Sequence, residues 1–125
     1  MKIRIKGNTI RLRLTRSEVA TVATKGYLAE ETKFSSSRFA YGIKTKKDLT
    51  HLDAQFLEET ITVFMPAAMA NEWWTSEQVG YAHTVALESG ETLHLLIEKD
   101  FVCMDESVED QSDNYPNPAA NKLNG

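Results

Sequence analysis

The sequence predicts an α+β domain, mainly an antiparallel sheet or barrel of about eight strands with two short helices. Three observations carry that expectation. Apolar and polar residues alternate with period two through most of the chain. Turn-forming pairs such as Gly7-Asn8 and Ser89-Gly90 separate the alternating runs. Helical spacing with capping residues occurs only near 16–25 and 67–74. With 125 residues, the chain is long enough for one domain that buries a core without a disulfide or a metal.

The elements follow in order. Lys2-Ile3-Arg4-Ile5-Lys6 and Thr9-Ile10-Arg11-Leu12-Arg13-Leu14 alternate on either side of Gly7-Asn8. Both turn residues accept the positive φ of a two-residue hairpin turn. Thr15-Arg16-Ser17-Glu18 has the form of a capping box and opens a helix over 16–25. Val19, Val22 and Ala23 share one face of it, Lys25 suits its last turn, and Gly26 stops it. Residues 27–34 and 38–44 read as strands around three serines, with Phe39, Tyr41 and Ile43 on one face, and 44–48 as a charged loop. Residues 52–56 and 61–65 form another alternating pair, joined near Glu58-Glu59. Pro66 suits a first helical turn, and Ala67 to Trp74 gives about two turns with Met69 and Trp73 spaced to meet. The last hairpin spans 79–87 and 92–101.

From Asp105 the apolar periodicity stops. Residues 1–104 therefore read as a single domain, and 105–125 as an acidic, disordered tail that can be removed. No internal repeat is visible. Because hairpins link most of the strands, the sheet is expected to be antiparallel, and eight such strands often close into a barrel.

The single cysteine, Cys103, allows no internal disulfide, and a chain without a cysteine framework suits a reducing compartment. No secretion signal follows Met1, and no apolar run reaches the roughly 20 residues of a membrane helix. The expected location is the cytoplasm. The net charge of −4 hides a separation: residues 1–47 carry twelve Lys or Arg against three acids, and 48–125 carry two bases against fifteen acids. Such asymmetry points to an anionic partner for the first part or a cationic one for the second, unless the two neutralise each other within the fold.

Pairing the first hairpin across Gly7-Asn8 sets Lys6 opposite Thr9, Arg4 opposite Arg11 and Lys2 opposite Arg13. One face is then aliphatic, and the other carries Lys2, Arg4, Lys6, Arg11 and Arg13 with no acid. Like charges opposite one another destabilise a sheet, and Thr or Gln would serve there without that cost. Three explanations stand open. One is a solvated face that protects an edge; another is internal pairing with Asp53, Glu98, Asp100 or the tail; the third is a site for phosphate or another polyanion, which arginine forks match geometrically.

Other candidates are sparser. Across a two-residue Ser89-Gly90 turn, Tyr81, His83, His94, Glu98 and Asp100 would share a face and form an acid/base or metal cluster, whereas a three-residue loop would flip one strand and dissolve it. His83 among Val79, Tyr81 and Val85 otherwise reads as a core histidine. Glu98 and Asp100 are candidate ligands for a hard cation such as Mg²⁺. Cys103 reads as a small buried residue, Trp73 as core and Trp74 as half-covered. There is no Walker loop, dinucleotide turn, Gly-x-Ser-x-Gly or zinc spacing, so no catalytic residue is identified.

The run from Met1 through Leu14 and the segment Glu98-Lys99-Asp100-Phe101-Val102-Cys103, with the acidic Asn/Pro ending, resemble a family of short bacterial proteins of unknown function. The resemblance covers nearly the whole chain and implies no activity. A more distant, partial similarity is to the CYTH, or triphosphate-tunnel, superfamily, whose eight-stranded antiparallel barrels grip triphosphate with a basic interior and hold metal with carboxylates. Lys6 and the alternating Arg11 and Arg13 are reminiscent of that interior. The acid-x-acid-x-Lys opening strand of those proteins is replaced here by Lys2-Ile3-Arg4-Ile5-Lys6.

Two functions follow as expectations. The first is a non-catalytic module whose basic face takes a small polyanion or an acidic protein surface, with no cofactor. The alternative is a CYTH-like phosphohydrolase using Mg²⁺ on Glu98 and Asp100. Whether the bases and those acids line one concavity separates the two. The net negative charge and acidic tail argue against nucleic acid.

Overall fold

The alternating runs form eight strands and the two capped segments form helices, in a computed structural model that describes residues 1–101 and 112–116. The order is β1 (Lys2–Lys6), β2 (Thr9–Leu14), α1 (Arg16–Lys25), β3 (Tyr27–Lys33), β4 (Arg38–Lys46), β5 (Asp53–Leu57), β6 (Thr60–Pro66), α2 (Ala67–Thr75), β7 (Gly80–Ala86) and β8 (Thr92–Lys99). Helix α1 has the predicted bounds for local reasons. The Glu18 carboxylate accepts the Thr15 N–H at 2.9 Å. At the other end, Gly26 takes the left-handed conformation, φ 75°, and returns its N–H to the Val22 carbonyl at 2.9 Å.

The strands make two four-stranded sheets, ordered β1-β2-β8-β7 and β3-β4-β6-β5. Pairing within each hairpin is antiparallel, but the central pairs β2–β8 and β4–β6 are parallel. The α+β class therefore holds, while the sheets are mixed and no closed barrel forms. A hairpin turn fixes only its own two strands; the seam between hairpins is set by long-range burial that no local pattern records.

The element order β-β-α-β-β occurs twice, and each half gives one hairpin to each sheet. The leading hairpins correspond residue for residue. Lys2↔Arg13, Arg4↔Arg11 and Lys6↔Thr9 in the first match Asp53↔Phe64, Gln55↔Thr62 and Leu57↔Thr60 in the second. This repetition is invisible in the sequence because different residues fill the same roles. The first turn is Gly7-Asn8, with Gly7 at φ 54°, and the second is Glu58-Glu59, at φ 52° and 60°. Thr15 precedes α1, and Pro66 precedes α2.

Inner faces of both sheets meet in one core of Leu12, Leu14, Ile43, Ile61, Val63, Met65, Leu95 and Ile97, with Val19, Val22, Ala70 and Trp73 added by the helices. The helices start where β2 and β6 end and pack on each other, so they close the end of the domain remote from the hairpin turns of β1–β2 and β5–β6. Among the described residues no helix is long and apolar enough to cross a membrane.

Most of the tail expected over 105–125 lies outside the described residues, as does the expected boundary at 104. Its described part, 112–116, is seated on the domain. The Asp113 carbonyl accepts the Arg16 N–H at 3.0 Å, and the Tyr115 N–H donates to the Asp100 carbonyl at 2.9 Å. The Tyr115 ring packs on Phe101 at 5.8 Å and lies under Arg16 and Lys99 at 5.5 and 5.0 Å, while Asn114 is buried. Within these five residues, Tyr115 supplies an apolar ring to the contact with the domain.

Candidate functional site: the basic hairpin face

The first hairpin pairs as its turn dictates, with Lys2 opposite Arg13, Arg4 opposite Arg11 and Lys6 opposite Thr9. Ile3, Ile10 and Leu12 turn inward, which sends all five cations to the outer face of the sheet. Strand β8 runs alongside β2 and sets His94 beside Thr9, Leu96 beside Arg11 and Glu98 beside Arg13. Glu98 then accepts the Arg11 Nε, and the buried Asp100 pairs with the Lys2 ammonium at 3.3 Å. Among the described residues, internal pairing thus answers two of the five cations. Among the described residues, Arg4, Lys6 and Arg13 have no carboxylate partner. A depression of about 240 Å³ lies on this face, lined by Arg4, Lys6, Thr9, Arg11 and Leu96. Glu98 and Asp100 do not line it.

The metal candidates are therefore committed elsewhere: Glu98 to Arg11 and Asp100 to Lys2. Among the described residues no group of three His, Cys, Asp or Glu side chains is placed to hold a metal ion. The cationic side chains also stand outside the core, whereas in the triphosphate-tunnel resemblance Arg11 and Arg13 would point into a barrel.

The shared histidine face does not form. The Leu87 N–H donates to the Glu91 carbonyl at 2.9 Å, leaving a three-residue loop with Gly90 at φ 92°. His83 then pairs opposite Leu95, and His94 opposite Thr84. His83 turns inward and stacks on His51, with ring centroids 4.1 Å apart, while His94 stays outside and meets the Thr84 hydroxyl at 2.9 Å. Trp73 is fully buried and donates its indole N–H to the Val79 carbonyl at 3.1 Å, and Trp74 is 42 % exposed, as expected. Cys103 lies outside the described residues.

Two residues of the depression were not singled out from the sequence. Thr9 could have been, because the hairpin register alone sets it opposite Lys6; Leu96 could not, because it arrives through the parallel seam. Lys99 was also overlooked. It shares the parity of Leu95 and Ile97, is buried, and donates from Nζ to the Ser76 carbonyl at 2.9 Å. Burial pushes its ammonium below the usual lysine range, with Glu77 partly opposing the shift.

A two-sheet α+β domain built from two like halves, with a basic face on one hairpin, is the class these features define. The chain belongs to DUF7009, a family of unknown function, which matches residues 1–119. No curated protein and no solved structure matches it.

Proposed function

We propose that the first hairpin is a non-catalytic binding surface for a phosphate-bearing anion. The observation that carries this reading is the counterpart hairpin. In the same register and on the same outer face it holds Asp53, Gln55, Leu57, Thr60, Thr62 and Phe64, with no cation among them. The fold therefore does not require Lys2, Arg4, Lys6, Arg11 and Arg13, and among the described residues Glu98 and Asp100 answer Arg11 and Lys2 but not Arg4, Lys6 or Arg13. Arg4 and Arg11, directly opposed across the depression, can each offer parallel N–H donors to phosphate oxygens.

Thermal melts with pyrophosphate, triphosphate and nucleotides test the reading. A ligand at a hundred times its dissociation constant stabilises the fold by about 2.7 kcal/mol. The shift is expected in the native chain and absent in Arg4→Gln. No shift with any of these at millimolar concentration would return the face to a solvated edge.

The Mg²⁺-dependent phosphohydrolase has less support, because its two carboxylates are tied to Arg11 and Lys2 and stand outside the depression. Binding the ground-state phosphate alone does not speed transfer. Phosphate release from triphosphate with Mg²⁺ or Mn²⁺ is expected at the rate of the buffer. Turnover that needs metal and disappears in Glu98→Gln would put the hydrolase first.

A further inference from the structure

Opposite the helices, the two sheets part around a second cavity of about 460 Å³. Its walls are Ile5, Ile10 and Leu93 from one sheet and Phe39, Phe56 and Ile61 from the other, and no charged residue lines it. These residues flank the hairpin turns of both halves, so the cavity sits where the turns converge. Two of these walls are exposed, Ile5 at 53 % and Phe56 at 69 %, while Ile61 at its base is buried. The volume lies within the range of small-molecule sites, roughly 300–1,000 Å³, which are mostly apolar with a few placed polar groups.

Here Asn8, Thr9 and Gln55 are the polar lining, and the charged groups belong to the neighbouring depression. Thr9 borders both this cavity and the cationic depression. Gly7 lines the cavity at this tip, and a side chain there would meet no atom within 4 Å, so the tip is open. Because Thr9 is common to both hollows, a single flexible molecule lying in the cleft can round the open tip toward Lys6, Arg4 and Arg11.

We infer that the anion bound by this protein is an amphiphile: a phosphate monoester whose alkyl chain lies between the sheets and whose head group sits on Arg4, Lys6 and Arg11. The inference rests on the anion-binding reading and adds the class of ligand. The uncharged cleft selects the chain, and the cations select the head.

Calorimetric titration of the full chain with butyl through decyl phosphate, each kept below its micelle concentration, tests it. Pyrophosphate and the matching alcohols serve as controls. Affinity is expected to rise about fourfold per added methylene, the equivalent of ~0.8 kcal/mol, until the cleft is full. Ala54→Phe, which fills the cleft, should flatten the series and leave pyrophosphate binding intact. Phe56→Ser, at an exposed wall position, should weaken decyl phosphate more than butyl phosphate. A flat series with pyrophosphate still bound would overturn the amphiphile and leave the basic face standing. Alcohols binding as tightly as phosphates, with no pyrophosphate binding, would overturn the anion-binding reading itself. A flat monomer series with binding to phosphatidate vesicles, but not to phosphatidylcholine vesicles, would place this end against a membrane and overturn the enclosed chain.

Discussion

The hairpins β1–β2 and β5–β6 share one pairing register, and they differ most on their outer side. Inward, Ile5, Ile10 and Leu12 correspond to Phe56, Ile61 and Val63, so both present large apolar side chains to the space between the sheets. Outward, five cations correspond to Asp53, Gln55, Leu57, Thr62 and Phe64. What the two share is what the fold demands, since each inner face must bury apolar surface against the other sheet. What they do not share is free of that demand. Phe64 shows how differently the outer face can be used: it is nearly buried, under the Lys46 ammonium 4.0 Å from its ring.

The largest effect that can break this equivalence is on the inner face. Leu12 and Val63 occupy matching positions, both are essentially unexposed, and each stands beside an isoleucine across its parallel seam, Ile97 and Ile43. Leu12→Ala is expected to cost about 2–5 kcal/mol, through lost transfer energy and the cavity left behind. Val63→Ala should cost less by about one methylene, ~0.8 kcal/mol. Urea unfolding checks both, as a lowered midpoint with an unchanged slope. A Val63→Ala variant as stable as the native chain would show that the halves carry unequal loads.

Local chemistry made much of this legible. The Gly7-Asn8 turn fixed the first register, and with it the composition of the basic face. The Thr15 to Glu18 run and Gly26 fixed the ends of α1. The parallel seams were not legible, because no turn connects β2 to β8 or β4 to β6. The repeat was not legible either, because Glu58-Glu59, both at positive φ, make the turn that Gly7-Asn8 makes with Gly7 alone at positive φ. At the site, the cations could be read directly. The pairing of Glu98 with Arg11 depended on the seam, and the parity of the last hairpin on one residue of loop length between Leu87 and Glu91. A period-two pattern carries the face of a residue but not its distant neighbour.

The smallest expected effect is the sharpest test of the outer face. Arg4 stands directly opposite Arg11 and has no carboxylate partner among the described residues, and its counterpart is Gln55, opposite Thr62. Arg4→Gln writes the counterpart's residue into the first hairpin and removes one like-charge opposition. Like charges directly opposite destabilise a sheet, so the variant should be more stable than the native chain at low ionic strength, on the order of the 0.2–1 kcal/mol that favourable cross-strand pairs contribute. Arg11 keeps Glu98 as its partner, so no carboxylate is stranded by the change. The gain should shrink in ~1 M salt, where the screening length falls to about 3 Å. The reverse exchange, Gln55→Arg, meets no facing cation and should stay within about 0.5 kcal/mol of native. Chemical denaturation of the three proteins at two salt concentrations measures all of this. A loss of stability in Arg4→Gln would mean that the guanidinium holds the fold together, and the outer face would then be structural and not free for a ligand.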